Sequence, residues 1–107
     1  MHKIGPQRSR DMQHAEEIHT AIRFAFDPER RQALLEGLAP RLAACLASHQ
    51  GLLESSLEVG ADGDWLVQRS RWRSPQAAHQ ALGDGSCGAQ LLGEAIWRYG
   101  ARSVWFE

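Results

Sequence analysis

Leu66, Gln68, Ser70 and Trp72 alternate with Val67, Arg69 and Arg71. A period of two over Trp65 to Trp72 predicts a strand with the first four residues on one face. A carboxamide and a hydroxyl between Leu66 and Trp72 make an odd row for a core, because buried polar groups must find hydrogen-bond partners. A ligand pocket between sheet and helices would supply them; ordered water at the edge of the core would also serve. Trp72 is either core filler or a pocket wall, and in both cases its indole N–H needs a partner when buried. His79 follows Trp72 by seven residues, on a predicted helix. Its imidazole would serve as a base at a pocket mouth, or stand solvated on the helix.

A second set sits on the first predicted strand. Arg23 and His19 share a face, opposite Ile22 and Phe24. Arg23 suits a salt bridge to Glu54 or Glu58, or the binding of an anion or oxyanion, and His19 would share either role. Cys45 falls on an apolar helical stripe and reads as a small core residue. Cys87 lies in a Gly-rich loop without a second sulfur or histidine at metal spacing, and a catalytic thiol is not expected there. Two cysteines are too few for a disulfide framework. No His/Cys/carboxylate cluster shows ligand spacing, so no metal is expected. Lys3 is the only lysine, which excludes a Schiff-base lysine for practical purposes.

The chain has 107 residues and a formal net charge of −1, with 43% hydrophobic and 23% charged residues. This describes one small globular domain. There is no basic excess to neutralise a phosphate backbone, so nucleic acid is not the expected partner. No apolar run approaches the ~20 residues of a membrane helix. Met1 to Gln13 lacks the apolar stretch of a secretory signal. The expected location is cytoplasmic.

The elements that must position these residues follow in order. Met1 to Glu17 reads as a flexible polar arm, and 18–107 as a single domain. Ile18 to Phe26 alternates as a strand, with Ile18, Thr20, Ile22, Phe24 and Phe26 on one face. Asp27-Pro28 starts a helix whose stripe is Leu34, Leu38, Leu42, Cys45 and Leu46. Pro40 interrupts its hydrogen bonding, so a kink is expected near Glu36 and Gly37 without a break. Leu52 to Val59 and Trp65 to Trp72 read as a hairpin around Gly60-Ala61-Asp62-Gly63-Asp64, with Val59 facing Trp65, Leu57 facing Val67 and Leu52 facing Trp72. Ser74-Pro75 opens a short helix to Leu82, Ala89 to Tyr99 forms another, and Arg102 to Glu107 a last strand. The order β-α-β-β-α-α-β fits an α+β, ferredoxin-like split βαβ sandwich. Helices cover one sheet face of such a fold. Both faces of the first strand carry apolar residues, so the Ile22, Phe24, Phe26 face is expected to be covered in a sheet-to-sheet homodimer, the alternative being a twisted sheet closed by loops.

The stretches Gly51-Leu52-Leu53-Glu54-Ser55-Ser56-Leu57-Glu58-Val59 and Trp65-Leu66-Val67-Gln68-Arg69-Ser70-Arg71-Trp72-Arg73-Ser74-Pro75-Gln76-Ala77 resemble the antibiotic biosynthesis monooxygenase family. The likeness extends from about Ile18 to Glu107, and its most specific element is Trp72-x-Ser74. It implies a dimeric α+β barrel. It also implies oxidation of a small aromatic molecule (a phenol, quinol or anthrone) by dioxygen, with no cofactor. The resemblance singles out Trp72 and Gln68, which with His79 are the catalytic candidates; Arg23, Ser70, His19 and Glu54 are the candidate substrate-binding residues. Gln68 stands where oxidising members often carry asparagine, Ala78 where some place a tyrosine, and Gly93 near an arginine used by others. A related branch degrades haem with an asparagine, a tryptophan and a histidine, and this chain contains no asparagine. The same fold would also carry a non-oxidative isomerase or a dimeric binding protein without turnover.

Overall fold

The computed structural model describes residues 17–107; the arm expected over Met1 to Glu17 lies outside them except for Glu17. Strands β1 (Ile18–Ala25), β2 (Leu52–Val59), β3 (Trp65–Trp72) and β4 (Ser103–Phe106) form one sheet in the order β2-β3-β1-β4. All three neighbouring pairs are antiparallel. Helices α1 (Ala39–Ala47), α2 (Pro75–Leu82) and α3 (Cys87–Trp97) supply the second layer. This is the expected ferredoxin-like split βαβ arrangement.

Capping residues open the last two helices. Ser74 and Ser86 accept hydrogen bonds from the backbone N–H of Ala77 and Ala89, satisfying donors that have no partner inside the helix. The long first helix runs without a loop. A 3₁₀ turn over Pro28–Arg30 and a π-helical stretch over Ala33–Leu38 lead directly into α1. Pro40 has no N–H to donate and crowds the carbonyl four residues back. The widened π turns lie just before it, where a kink was expected, and carry the chain past that conflict. Leu34, Leu38, Leu42 and Leu46 remain on one buried face throughout. Gly37 lies against Tyr99: a Cβ there would come within 2.7 Å of the Tyr99 ring.

That leucine face packs against Ile22, Phe24, Phe26, Leu66 and Trp72. The Ile22, Phe24, Phe26 face is therefore the helix-covered core, not the exposed surface that the homodimer expectation assumed. The helix-free face carries His19, Arg23, Glu54, Ser56, Glu58, Arg69 and Arg71. Its charges are paired: Arg23 with Glu107, Arg69 with Glu58, and Arg71 with Glu17 and Glu54. It is the polar alternation a one-sided sheet shows to water. The reading failed because alternating apolar and small residues on β1 do not say which side the helices take.

The hairpin differs from expectation by one residue. Val59 faces Leu66, Leu57 faces Gln68 and Ser55 faces Ser70. Gly60 takes the place opposite Trp65, its N–H donating to the Trp65 carbonyl at 2.9 Å. Only glycine fits there, since a Cβ would meet the Trp65 indole. An extra residue between Leu52 and Glu54 then cancels the slip, so Leu52 faces Trp72 as expected.

The two cysteines correct a further expectation. Cys87 is not a loop residue but the first residue of α3, and it forms a disulfide with Cys45 of α1.

Candidate ligand groove

Leu66, Gln68, Ser70 and Trp72 all point from β3 toward the helices and are buried, Gln68 at 3% exposure and Trp72 at 0%. At the outer side of this row, β2 is an edge strand that α1 covers incompletely, leaving Leu57 at 40% exposure. The result is a groove of about 330 Å³ with Leu35, Ala39, Pro40 and Ala43 on the helix side and Ser55, Leu57 and Gln68 on the sheet side. Among the described residues, no titratable side chain lines it. Gln68 is its main polar feature. The amide nitrogen donates to Ser55 Oγ at 2.6 Å and to the Ser56 carbonyl at 3.0 Å. Both donors are thereby used, while Oε1 accepts nothing from the described residues and is left for a ligand donor.

Trp72 lies four residues further along β3, about 13 Å at the rise of a strand. Its Nε1 donates to Thr20 Oγ1 at 2.9 Å, which satisfies the indole inside the core. His49 presents its ring edge to the indole, with centroids 6.5 Å apart and planes at 79°. The imidazole Nδ1 lies 3.0 Å from the Cys45 carbonyl. Thr20 and His49 were not singled out from the sequence. Thr20 was legible only as a residue of the Ile22–Phe24–Phe26 face, which was expected to meet a second copy and not the helices. Nothing in the chain order joins His49 to Trp72.

The other candidates lie elsewhere. His79 is exposed on α2 beside Gly83, outside the groove. His19, Arg23 and Glu54 are on the opposite side of the sheet from Gln68 and Trp72, so the two sets do not form one site. Arg23 bonds Glu107 at 3.1 Å, rather than Glu54 or Glu58, and its guanidinium lies 4.5 Å over the Trp65 ring. His19 and Glu54 border a polar basin of about 480 Å³ on the helix-free face, together with Arg69 and Arg71. Hydrogen bonds from Arg71 to Glu17 and then Glu54 hold that guanidinium more basic than usual.

A third cluster joins α1 to α3. Arg41 donates to Glu94 Oε1 at 2.8 Å and to the Tyr99 hydroxyl at 2.7 Å, and Arg98 donates to the same Glu94 oxygen at 3.2 Å. The Arg41 hydrogen bond holds the Glu94 carboxyl below the usual range, against the opposing effect of burial. Arg41 is made more basic by Glu94 and Tyr99 in turn. No group of three metal-ligating side chains occurs among the described residues.

No protein-family model matches the chain, and no curated protein matches it in sequence. Solved structures do. Rv0793 from Mycobacterium tuberculosis is 23% identical with a TM-score of 0.69, over 85% of this chain and 90% of that one. A conserved protein of unknown function from Bacteroides thetaiotaomicron has a TM-score of 0.70 at 17% identity, over 86% and 94%. The monooxygenase ActVA-Orf6 of Streptomyces coelicolor, solved with nanaomycin D, has a TM-score of 0.64 at 21% identity, over 86% and 85%. SnoaB, a cofactor-independent oxygenase from Streptomyces nogalater, has 0.60 at 19%, over 86% and 89%. The chain has the ferredoxin-like α+β fold of these structures, which include the monooxygenase ActVA-Orf6 and the cofactor-independent oxygenase SnoaB, the kind of fold its Trp72-x-Ser74 resemblance implied.

Proposed function

We propose that the chain takes a small aromatic molecule into the groove beside Gln68 and oxidises it with dioxygen, without metal or organic cofactor. The observation that carries this reading is the Oε1 of Gln68, which accepts nothing from the described residues, in a groove otherwise lined by apolar side chains and two serines. A planar phenol or quinol matches such a site: apolar walls take the rings and one acceptor orients a hydroxyl. ActVA-Orf6 and SnoaB, described as a monooxygenase and a cofactor-independent oxygenase, support the reaction class. The substrate must be electron-rich enough that its anion can itself pass an electron to dioxygen. The protein contributes positioning and exclusion of water. With no titratable side chain in the groove, the substrate proton goes to solvent.

The same absence favours, as the second reading, a binding protein without turnover over an isomerase, whose acid–base chemistry would need a titratable group at the ligand. Oxygen uptake with a panel of quinols and polycyclic phenols in chelated buffer separates the two. Uptake that depends on Gln68 supports oxidation. Tight binding without uptake supports the second reading, and neither would sink both.

A homodimer through the helix-free sheet face belongs to the same proposal. Trp105 is 42% exposed on that face beside Arg23, and the surrounding Arg–Glu pairs suit a polar interface rim. Sedimentation at micromolar concentration is expected to give twice the chain mass, and a folded monomer would overturn it.

A further inference from the structure

The Cys45–Cys87 disulfide joins the helix that roofs the groove to the helix behind it. Its residues are 42 apart in sequence, and their Cα atoms are 6.3 Å apart. Cys87 is exposed and both cysteines border an open hollow with Ser48 and Gln90, so a thiol in solution reaches the bond. The chain has no third cysteine to exchange with it.

Two connections lead from this bond to the ligand side of the molecule. The first is α1 itself, which carries Cys45 on one face and the groove residues Ala39, Pro40 and Ala43 on another. The second is the Cys45 carbonyl. It accepts from Ser48 Oγ at 2.6 Å and lies 3.0 Å from His49 Nδ1, and His49 rests edge-on against Trp72. A shift of α1 at Cys45 therefore moves the imidazole that packs on the indole. Ala39–Ala47 is the C-terminal half of the long first helix, and the π-helical stretch before it, with its poorer hydrogen bonding, leaves α1 reliant on tertiary contacts for its position.

We propose that the Cys45–Cys87 disulfide is a redox-controlled clamp on α1, holding the groove wall in place when oxidised and releasing it when a dithiol reductant opens the bond. The regulatory consequence rests on the groove being the ligand site; the movement of α1 does not. In the opening step a thiolate of the reductant attacks Cys87 Sγ, the S–S bond breaks, and its electron pair passes to Cys45 Sγ, which takes up a proton. The second thiol of the reductant resolves the mixed disulfide, leaving two protein thiols and an oxidised reductant. Cys87 opens α3 and is the more exposed of the two cysteines, so its sulfur is the one a thiol or small disulfide meets first. When a small disulfide is supplied, a Cys87 thiolate attacks it and displaces one of its two thiolates; Cys45 Sγ then loses its proton and attacks Cys87 Sγ of the mixed disulfide, expelling the second thiolate and closing the bond. Stable disulfides are uncommon in reducing compartments, which is where a reversible one has regulatory value.

The test compares oxidised protein, dithiothreitol-treated protein and the Cys45→Ser/Cys87→Ser variant, without any ligand. Mass spectrometry counts the thiols, amide exchange reads local opening, and the emission difference between wild type and Trp72→Phe reads the indole. Reduction is expected to accelerate exchange across α1 roughly tenfold, with β1 and β3 little changed, to shift the Trp72 emission, and to reverse on reoxidation. The variant should match the reduced protein and ignore the reductant. Failure of the thiols to pair would overturn the proposal. So would exchange that rises equally in every element, the mark of a plain staple, or exchange and emission that do not respond. Because no substrate is used, a negative oxygen-uptake result leaves this test intact.

Discussion

Gln68 and Ser55 meet side chain to side chain across the β2–β3 pair, with Nε2 to Oγ 2.6 Å apart. Ser55 faces Ser70 and Leu57 faces Gln68, so this contact is diagonal on the sheet. It turns the carboxamide so that both N–H groups stay inside the sheet edge and the oxygen remains for the groove. Gln68→Leu keeps the volume and removes the acceptor. A phenolic ligand is expected to bind about tenfold more weakly, the equivalent of about 1.4 kcal/mol. Ser55→Ala should cost less, since Ser56 still receives one amide hydrogen. Titration calorimetry of both variants checks the order, and equal affinities would contradict the groove assignment.

Trp72→Phe removes the donor to Thr20 and part of a fully buried ring. The lost hydrogen bond should cost about 1 kcal/mol and the cavity more. Thr20→Val leaves the indole N–H buried without a partner and is expected to cost about 1–3 kcal/mol. Urea unfolding of the two single variants and the double variant measures the coupling, which should be nonzero for groups in contact.

Phe24→Glu places a carboxylate in the packed core, not in a subunit interface. The expected result is loss of folding, seen as loss of the near-ultraviolet dichroism, because an unpaired buried charge costs several kcal/mol. Trp105→Glu, on the helix-free face, should leave the fold intact and shift the sedimentation equilibrium toward monomer. A folded monomer from Phe24→Glu would refute this description of the core.

Glu94 links pH to stability. Its folded pKa lies below the ordinary carboxylate value, chiefly through the Arg41 hydrogen bond. The folded state thus binds this proton less readily than the unfolded chain. Its contribution is complete above the unfolded pKa and is lost as pH falls through the folded one. Glu94→Gln should therefore flatten the acid limb of the stability profile. The measurement is the urea midpoint against pH for both proteins, and parallel profiles would exclude Glu94 as the source.

If the groove supplies no base, the pH dependence of oxygen uptake belongs to the substrate. The rate should rise with pH up to the phenol's own pKa, and phenols of lower pKa should shift the rise downward. His79→Ala should leave the profile in place, because His79 stands outside the groove. A profile that stays fixed across substrates would require a protein base and would contradict this mechanism.

The order of elements, the Asp27-Pro28 and Ser74-Pro75 helix starts, and the shared face of Leu66, Gln68, Ser70 and Trp72 are all legible in the sequence. They depend on short-range rules: the period of a strand, the fixed φ of proline, and at Ser74 a side-chain cap, which Asp27 does not make although its helix starts where expected. The helical stripe from Leu34 to Leu46 is equally local, and it carries through Pro40 because packing of that face outweighs one missing hydrogen bond. What joins distant residues is not local. The extra residue between Leu52 and Glu54 resets the hairpin register, and nothing in its sequence distinguishes it from ordinary strand. The helices took the Ile22–Phe24–Phe26 face because it buries the larger side chains, a choice made only when the layers meet. That choice separated Arg23, His19 and Glu54 from Gln68 and Trp72, which period alone had left free to converge. Cys45 and Cys87, and His49 and Trp72, come together only because α1, α3 and the sheet pack in three dimensions, and contacts across such separations leave no periodic trace in a single chain.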